Sequence, residues 1–338
     1  MKKRWLLALT ALLVALSMLF SVCAEKNPLP EGEGGSDIEA GNNVTNSKYS
    51  SEDKLIALTY DDGPHPVHTN KILDILEKNN ATATFFIVGY NIEKNIDTIK
   101  RAQSIGCEIG NHSNDHKILT KCDNETIRNQ VNAPNEKIKE LTGLEMALFR
   151  APGGAYDGIT NQIGMPLIQW SIDTEDWKSK DSSNKNRTEY ERNAELRRIA
   201  DEVVSGAQKG DIILMHDIYG FTADLSAIII PELKENGFEV VSVSEMYEAY
   251  GKTLKEGNVY KKITFSQNTS NVVLEAGNYT VKTNGGSLNI RIEPDADSQS
   301  VGKLSSGASV TVTKSISGWA FVETGETCGW VNAAYLTK

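Results

Sequence analysis

Five histidines occur in 338 residues, all of them within the first 216, and each follows a stretch that reads as a β-strand. Histidines scattered at random are mostly structural, whereas a set gathered beside strand ends points to a site. Two adjacent carboxylates, Asp61 and Asp62, close the first such stretch and run into Gly63-Pro64. Neighbouring side chains at a strand terminus point in different directions, so one can bind a metal while the other faces a bound water. The third stretch runs into His112-Ser113-Asn114-Asp115-His116. Imidazoles four residues apart lie on one face of a helical turn and can grip one cation, as in the zincins. Ser113 stands where a zincin carries its general-base Glu, so the expectation is a metal pair without that base. Asp62 is the candidate third ligand, because two imidazoles and one carboxylate leave positions open for water and substrate, as in catalytic zinc or non-haem iron centres. Three further strand ends carry Arg150, Asp173 and His216. Such groups emerging at one rim are costly to desolvate unless they pair with one another.

Positioning these residues requires strands that alternate with helices, and residues 54–250 carry that pattern. Strands are expected at 55–59, 84–88, 108–111, 147–150, 167–172, 212–215 and 239–241. Apolar residues recur at helical spacing between them, as in Ile72, Ile75 and Leu76 or Ile127, Val131 and Ile138. Further helices are expected over 192–207 and 224–236. The fold class is therefore α/β, a distorted (β/α) barrel of about seven strands with its chemistry at the C-terminal strand ends. A junction at 251–278 leads to 279–338, where five short strands, beginning with Leu288-Asn289-Ile290-Arg291 and closing with Gly329-Trp330-Val331, make a small β-barrel.

Composition narrows the class of function. The chain is 39% hydrophobic and 24% charged, as a folded globular protein is, and its net charge of −10 is the opposite of a nucleic-acid footprint. Residues 1–24 read as an export signal: Lys2, Lys3 and Arg4 precede an apolar run and a small-residue end at Val22-Cys23-Ala24. The run is also long enough to stay as an anchor. Cys23 as a lipid-attachment site is opposed by Val22. Residues 25–53 are rich in Gly, Asn, Ser and Glu and read as a disordered linker. Cys107, Cys122 and Cys328 are an odd number for a disulfide framework, with a bridge from Cys107 to Cys122 left open. An extracellular or membrane-anchored location follows from this reading.

The ordered set Tyr60-Asp61-Asp62-Gly63-Pro64, His112-x-x-x-His116, Arg150-x-Pro152-x-Gly154, Asp173-x-x-Asp176-Trp177 and Leu214-x-His216 resembles the five motifs of the NodB-type polysaccharide deacetylases, carbohydrate esterase family 4. The C-terminal segment is similar to a bacterial SH3-like domain, a module that commonly attaches exported enzymes to peptidoglycan, and this resemblance makes the expected location cell-wall associated. The resemblance implies a divalent cation, zinc first and cobalt, nickel or manganese as alternatives, held by Asp62, His112 and His116. It implies Asp61 as the base that takes a proton from water, and His216 as the acid that protonates the departing amine. Arg150 is expected to hold Asp61 ionised, and Asp173 to favour protonated His216. The Gly153 N–H is expected at the oxyanion and Trp177 at the pocket wall. The implied activity is hydrolysis of N-acetyl groups from an N-acetylated glycan, most directly peptidoglycan. An O-acetyl esterase, a chito-oligosaccharide deacetylase and a silent wall-binding protein remain as alternatives. Two departures stand out: Gly153 occupies a place where family members often have an aromatic residue, and Tyr60 one where Phe is commoner.

Overall fold

A computed structural model describes residues 48–180, 186–265, 272–296, 298–316, 318–325 and 327–338. The export segment 1–24, and the linker up to residue 47, lie outside the described residues. Among the described residues no helix is long and apolar enough to cross a membrane. Two compact units are present, one of residues 48–265 with 295–299, the other of residues 272–294 with 300–338.

The centre of the first unit is β1 (Lys54–Asp61), in which only Lys54 is exposed. A strand this apolar on both faces needs neighbours on both faces, which is the signature of a parallel sheet covered by helices. Its neighbours are β2 (Thr84–Ile87), β6 (Ile212–His216) and β7 (Phe238–Val241), all parallel to it. β3 (Glu108–Asn111) extends the sheet beyond β2, and β5 (Ile172–Asp173) beyond β6. Single parallel bridges from Asn111 to Phe149 and from Phe149 to Leu167 carry the ring onward to β4 (Leu167–Ile168). The chain then runs from β4 into β5, which closes a distorted barrel. The expected strand 167–172 is thus two strands, because its first half pairs toward Phe149 while Ser171 and Ile172 have moved to the β6 side. The expected strand 147–150 shrinks for the same reason to the bridging Phe149.

Helices α1 (His68–Lys78), α2 (Ile96–Ser104), α3 (Asn124–Thr142), α4 (Glu189–Gly206), α5 (Gly220–Glu235) and α6 (Val243–Ala249) cover the sheet. The start of α3 is set by the Asp123 carboxylate, which accepts from Thr126 N at 2.7 Å, and its end by Gly143 in the left-handed region. Such a cap is worth about 1 kcal/mol. Thr188 with Glu191 and Ser242 with Glu245 form capping boxes at the starts of α4 and α6. The boundary expected at residue 250 lies further along: β8 (Val259–Tyr260) pairs with β4, and Tyr260 and Ile263 are buried in the first unit's core. Cys107 and Cys122 are separate thiols, one buried in that core and the other half-buried.

The second unit is a seven-stranded antiparallel sheet in the order β11-β10-β14-β13-β12-β9-β15. The five expected strands are β10 (Leu288–Arg291), β11 (Ser300–Leu304), β12 (Ser309–Ile316), β13 (Trp319–Glu323) and β14 (Cys328–Asn332). β9 (Gly277–Val281) and β15 (Leu336–Thr337) add two more. The alternation Val310, Val312, Ala320, Val322 and Val331 fills one core.

Candidate active site

The C-terminal ends of β1, β3 and β6 meet at one rim, and the residues singled out in the sequence gather there. Asp62 lies just beyond β1 with φ 75°, a left-handed conformation that is strained for a side chain. The next residue is constrained as well: a Cβ on Gly63 would stand 2.2 Å from both carboxylate oxygens of buried Asp217. Only glycine permits that approach.

The segment 112–116 is not the helical turn that the H-x-x-x-H spacing suggested. Ser113 and His116 are both left-handed, at φ 65° and 60°, so the chain curls back and brings the rings together with centroids 5.0 Å apart. Local side-chain bonds and one residue of α3 hold the curl. Asn111 Oδ1 accepts from Ser113 N at 2.8 Å, Ser113 Oγ accepts from His116 N at 3.0 Å, and Gln130 of α3 accepts from Asn114 N and Asp115 N.

The result is a ligand set of Asp62, His112 and His116, whose donor atoms all lie within 4.8 Å of one another. Asp62 Oδ1 is 3.4 Å from His112 Nε2 and 3.1 Å from His116 Nε2. That oxygen is buried and no hydrogen bond of good geometry reaches it. An orphaned anionic oxygen between two imidazole nitrogens fits a divalent cation. His112 Nδ1 donates to the Arg150 carbonyl at 2.8 Å, which leaves the Nε2 lone pair facing the pocket. Burial alone would raise the Asp62 pKa, but the two imidazoles outweigh it and hold the carboxyl well below the usual range.

Asp61, at 4% exposure, faces the same pocket from the other side, its Oδ2 3.7 Å from His112 Nε2. Its Oδ1 accepts from Arg150 Nη1 at 2.8 Å. The Arg150 guanidinium is fully buried and held on every nitrogen: it also donates to Thr59 Oγ1 and to the carbonyls of Ile168 and Gln169, with its face on the Phe86 ring. Arg150 therefore pairs with Asp61 inside the core. Tyr60, between these groups and the helices, is buried with its hydroxyl 3.0 Å from Ser226 Oγ.

His216 ends β6, and its partner is not the expected residue. Nδ1 lies 2.8 Å from Asp176 Oδ1, while Asp176 Oδ2 accepts from His216 N and Thr222 Oγ1. Asp173 instead accepts from Glu175 N at 2.9 Å and is exposed. The physical reason is the turn between them: Glu175 is left-handed, φ 52°, which sends Asp176 inward to 0% exposure and leaves Asp173 at the lip. Burial disfavours a charged His216, but the Asp176 hydrogen bond and charge, with Asp61 and Asp62, overcome it and push the pKa up to about 9.

Gly153 sits in a tight turn at φ 63°, and the inward hydrogen bonds of that turn are donated by Gly154 and Ala155, so neither uses the Gly153 amide. Trp177 is 43% exposed, on the surface beside Asp176 rather than in the core. His65 and His68 stack on each other at the start of α1. The residues that sequence reasoning missed are Asp176 as the histidine's partner, Thr222, Gln130 and Asp217. Burial pushes Asp217 up to about 7, and its position directly after His216 was the one available signal.

Comparison with known proteins accords with this geometry. Residues 48–166 match the family model described as polysaccharide deacetylase, and residues 286–337 that of the bacterial SH3 domain. The peptidoglycan-N-acetylglucosamine deacetylase PgdA of Listeria monocytogenes is 38% identical over 208 residues, 61% of this chain and 41% of that protein. The chain thus spans about two fifths of that relative's length. A peptidoglycan-N-acetylglucosamine deacetylase of Bacillus cereus is 34% identical over 205 residues, 58% of this chain and 89% of that protein. Among solved structures, a family 4 acetyl xylan esterase from Clostridium thermocellum, in complex with a cobalt ion, aligns with TM-score 0.56 and 29% identity over 63% of this chain and all of that one. With Asp62, His112 and His116 converging as that ligand chemistry requires, and with a relative covered over most of its length, the chain belongs to the polysaccharide deacetylase family.

Proposed function

We propose that this protein is an exported, metal-dependent deacetylase that hydrolyses N-acetyl groups on the amino sugars of peptidoglycan, giving acetate and free amine. One observation carries the reading: the Asp62, His112 and His116 donor set is flanked by a carboxylate held by a buried arginine and by a histidine held by a buried aspartate. A divalent cation held by Asp62, His112 and His116 supplies Lewis acidity, which lowers the pKa of water and polarises a carbonyl. We assign zinc to it, with cobalt, nickel or manganese accepted by the same donors.

Asp61 takes the proton from the attacking water. Arg150 pairs with that carboxylate and fixes its Oδ1, so Oδ2 remains for the water. Water oxygen bonds to the acetamide carbon, and negative charge grows on the carbonyl oxygen, to which we assign the Gly153 N–H as donor. His216 then gives its proton to nitrogen as the C–N bond breaks, because an amine leaves poorly as an anion. Asp176 keeps His216 charged for that step. Trp177 and Asp173 stand at the lip, where they shape the entrance to the groove.

Peptidoglycan is chosen because the Listeria and Bacillus relatives carrying this catalytic unit are named for it and because the chain adds an SH3-like unit suited to holding the wall. An O-acetyl esterase reading draws on the acetyl xylan esterase likeness. The test is acetate release from purified peptidoglycan, chito-oligosaccharides and acetylated xylan, with chelator and with added zinc. Metal-dependent release from peptidoglycan with new free amines is expected. Release from xylan alone would replace amide by ester hydrolysis, and no release from any substrate would overturn the assignment.

A further inference from the structure

The ligand set comes from strands that are not neighbours. Asp62 follows β1 and His112 follows β3, and β2 lies between them in the sheet. At about 4.8 Å per strand the two strand ends stand about 10 Å apart, yet the donor atoms lie within 4.8 Å of one another. The chain that leaves β2 bonds to both loops. It passes through Val88 into two 3₁₀ turns, Gly89–Asn91 and Glu93–Asn95. On one side it donates to successive carbonyls of the aspartate loop: Asn91 Nδ2 to Asp62 O at 3.1 Å, Val88 N to Gly63 O at 2.9 Å, and Asn95 Nδ2 to Pro64 O at 3.2 Å. On the other side, Gly89 N donates to Ser113 O and Tyr90 N to Asn114 O, each at 3.0 Å, within the histidine curl. Asn95 Nδ2 also reaches Asn91 O at 3.0 Å, which ties the two asparagines together. A Cβ on Gly89 would stand 2.5 Å from Asn114 Oδ1 and 2.9 Å from Asn114 Cα, so the contact with the curl is close enough to require glycine.

We propose that residues 88–95 form a yoke that fixes the separation of Asp62 from the two histidines, with Asn91 as its positioning residue. In treating those three side chains as metal ligands, the proposal rests on the function given above. Asp62 directs its carboxylate at the histidines from a left-handed backbone, φ 75°, which costs free energy when nothing restrains it. Its carbonyl is where a neighbour can hold that backbone, and Asn91 Nδ2 is the donor that reaches it. Val88, Gly89 and Tyr90 act through main-chain amides, which most substitutions leave in place. Asn91 and Asn95 act through side chains, so the yoke can be cut there without touching a ligand. Groups that orient ligands in this way govern metal affinity by about 10–100-fold, because they set the ligand directions before the cation arrives. One segment holding both loops also means that a shift of either loop is passed to the other.

The experiment is cobalt(II) titration of the chelator-stripped full chain, followed by visible absorption, beside the acetate-release assay given above. Asn91→Leu removes the donor to Asp62 and is expected to weaken cobalt binding about tenfold. It is also expected to shift the absorption bands at saturating cobalt, because those bands follow ligand geometry and a residue that only supports the fold would leave them in place. Gly89→Ala acts on the histidine loop and should move the same two readouts. Asn95→Leu should weaken binding less, since it frees Pro64 rather than Asp62. Asn95 is half-buried, and this variant together with Gly89→Ala decides the matter if Asn91→Leu fails to fold. Wild-type affinity with unchanged bands in the folded variants overturns the yoke alone, provided the wild type releases acetate with its metal. A wild type that binds cobalt and loses affinity in Asn91→Leu, yet releases no acetate from any substrate, overturns the deacetylase reading alone. A stripped chain that takes up no cobalt overturns both.

Discussion

The barrel and the SH3-like unit use their buried positions in opposite ways. In the barrel, Arg150 and Asp176 are fully buried and Asp61, His112 and Asp217 nearly so, while Asp62, Ser113 and His116 hold left-handed backbone. Among the described residues of the SH3-like unit, every buried side chain is apolar except the phenol of Tyr279, whose hydroxyl donates to the Glu275 carbonyl. Burying charge and straining backbone both oppose folding, so they persist where surrounding structure compensates and where chemistry requires them. In the barrel Asp61 is paired with Arg150 and His216 with Asp176, and the two pairs flank the Asp62, His112 and His116 donor set. The SH3-like unit carries no such cost.

The comparison breaks if the buried set can be altered without consequence. Asp62→Ala should remove the cation and lower the deacetylation rate by about 10⁴-fold or more, checked by metal content and acetate release side by side. Arg150→Met leaves Asp61 buried without its cation. A loss of about 3–5 kcal/mol is expected in denaturant titration, together with lost activity. A smaller effect is expected for Asp176→Asn, about 10²-fold in kcat, with a signature in pH. His216 must be protonated to serve as the acid, and its raised pKa keeps it so as pH rises toward about 9. Without Asp176 the burial effect prevails and the pKa falls, so the alkaline limb of the rate profile moves to lower pH. A bound cation moves the same limb downward in the wild type, and the Asp176→Asn limb must lie below that. In the metal-free protein the shift also stabilises the fold, fully below about pH 6.5, and this contribution is lost as pH rises through about 9.

Two finer tests sharpen the contrast. Ser226→Ala leaves the buried Tyr60 hydroxyl without its partner and should cost about 1–3 kcal/mol, most of it recovered by adding Tyr60→Phe. In the other unit, exposed Lys314→Gln should change stability by no more than about 0.5 kcal/mol in the same titration.

Much of this was legible in the sequence. The apolar run of Leu55 to Tyr60 and the spacing of Ile127, Val131 and Ile138 announced a buried strand and a packed helix, because those periodicities are local. Less legible was the ring's closure. Residues 167–172 have the composition of one strand, yet their two ends pair with different neighbours, and no property of the segment itself records that switch.

The sequence by itself determined which side chains are available for chemistry and their order: paired carboxylates, two spaced histidines, an arginine, and a histidine after an apolar strand. It also determined that strands end where those residues begin. Only the tertiary structure decided which way each one turns. Asp173 and Asp176 are chemically identical and three residues apart, and the choice between them was made by a left-handed Glu175 and by bonds to His216 and Thr222, 40 and 46 residues away. The two metal-site histidines meet through a curl that Gln130 of α3 holds, not through the helical turn their spacing resembles. Direction after a strand end depends on partners distant in sequence, and those partners are assembled only when the chain has folded.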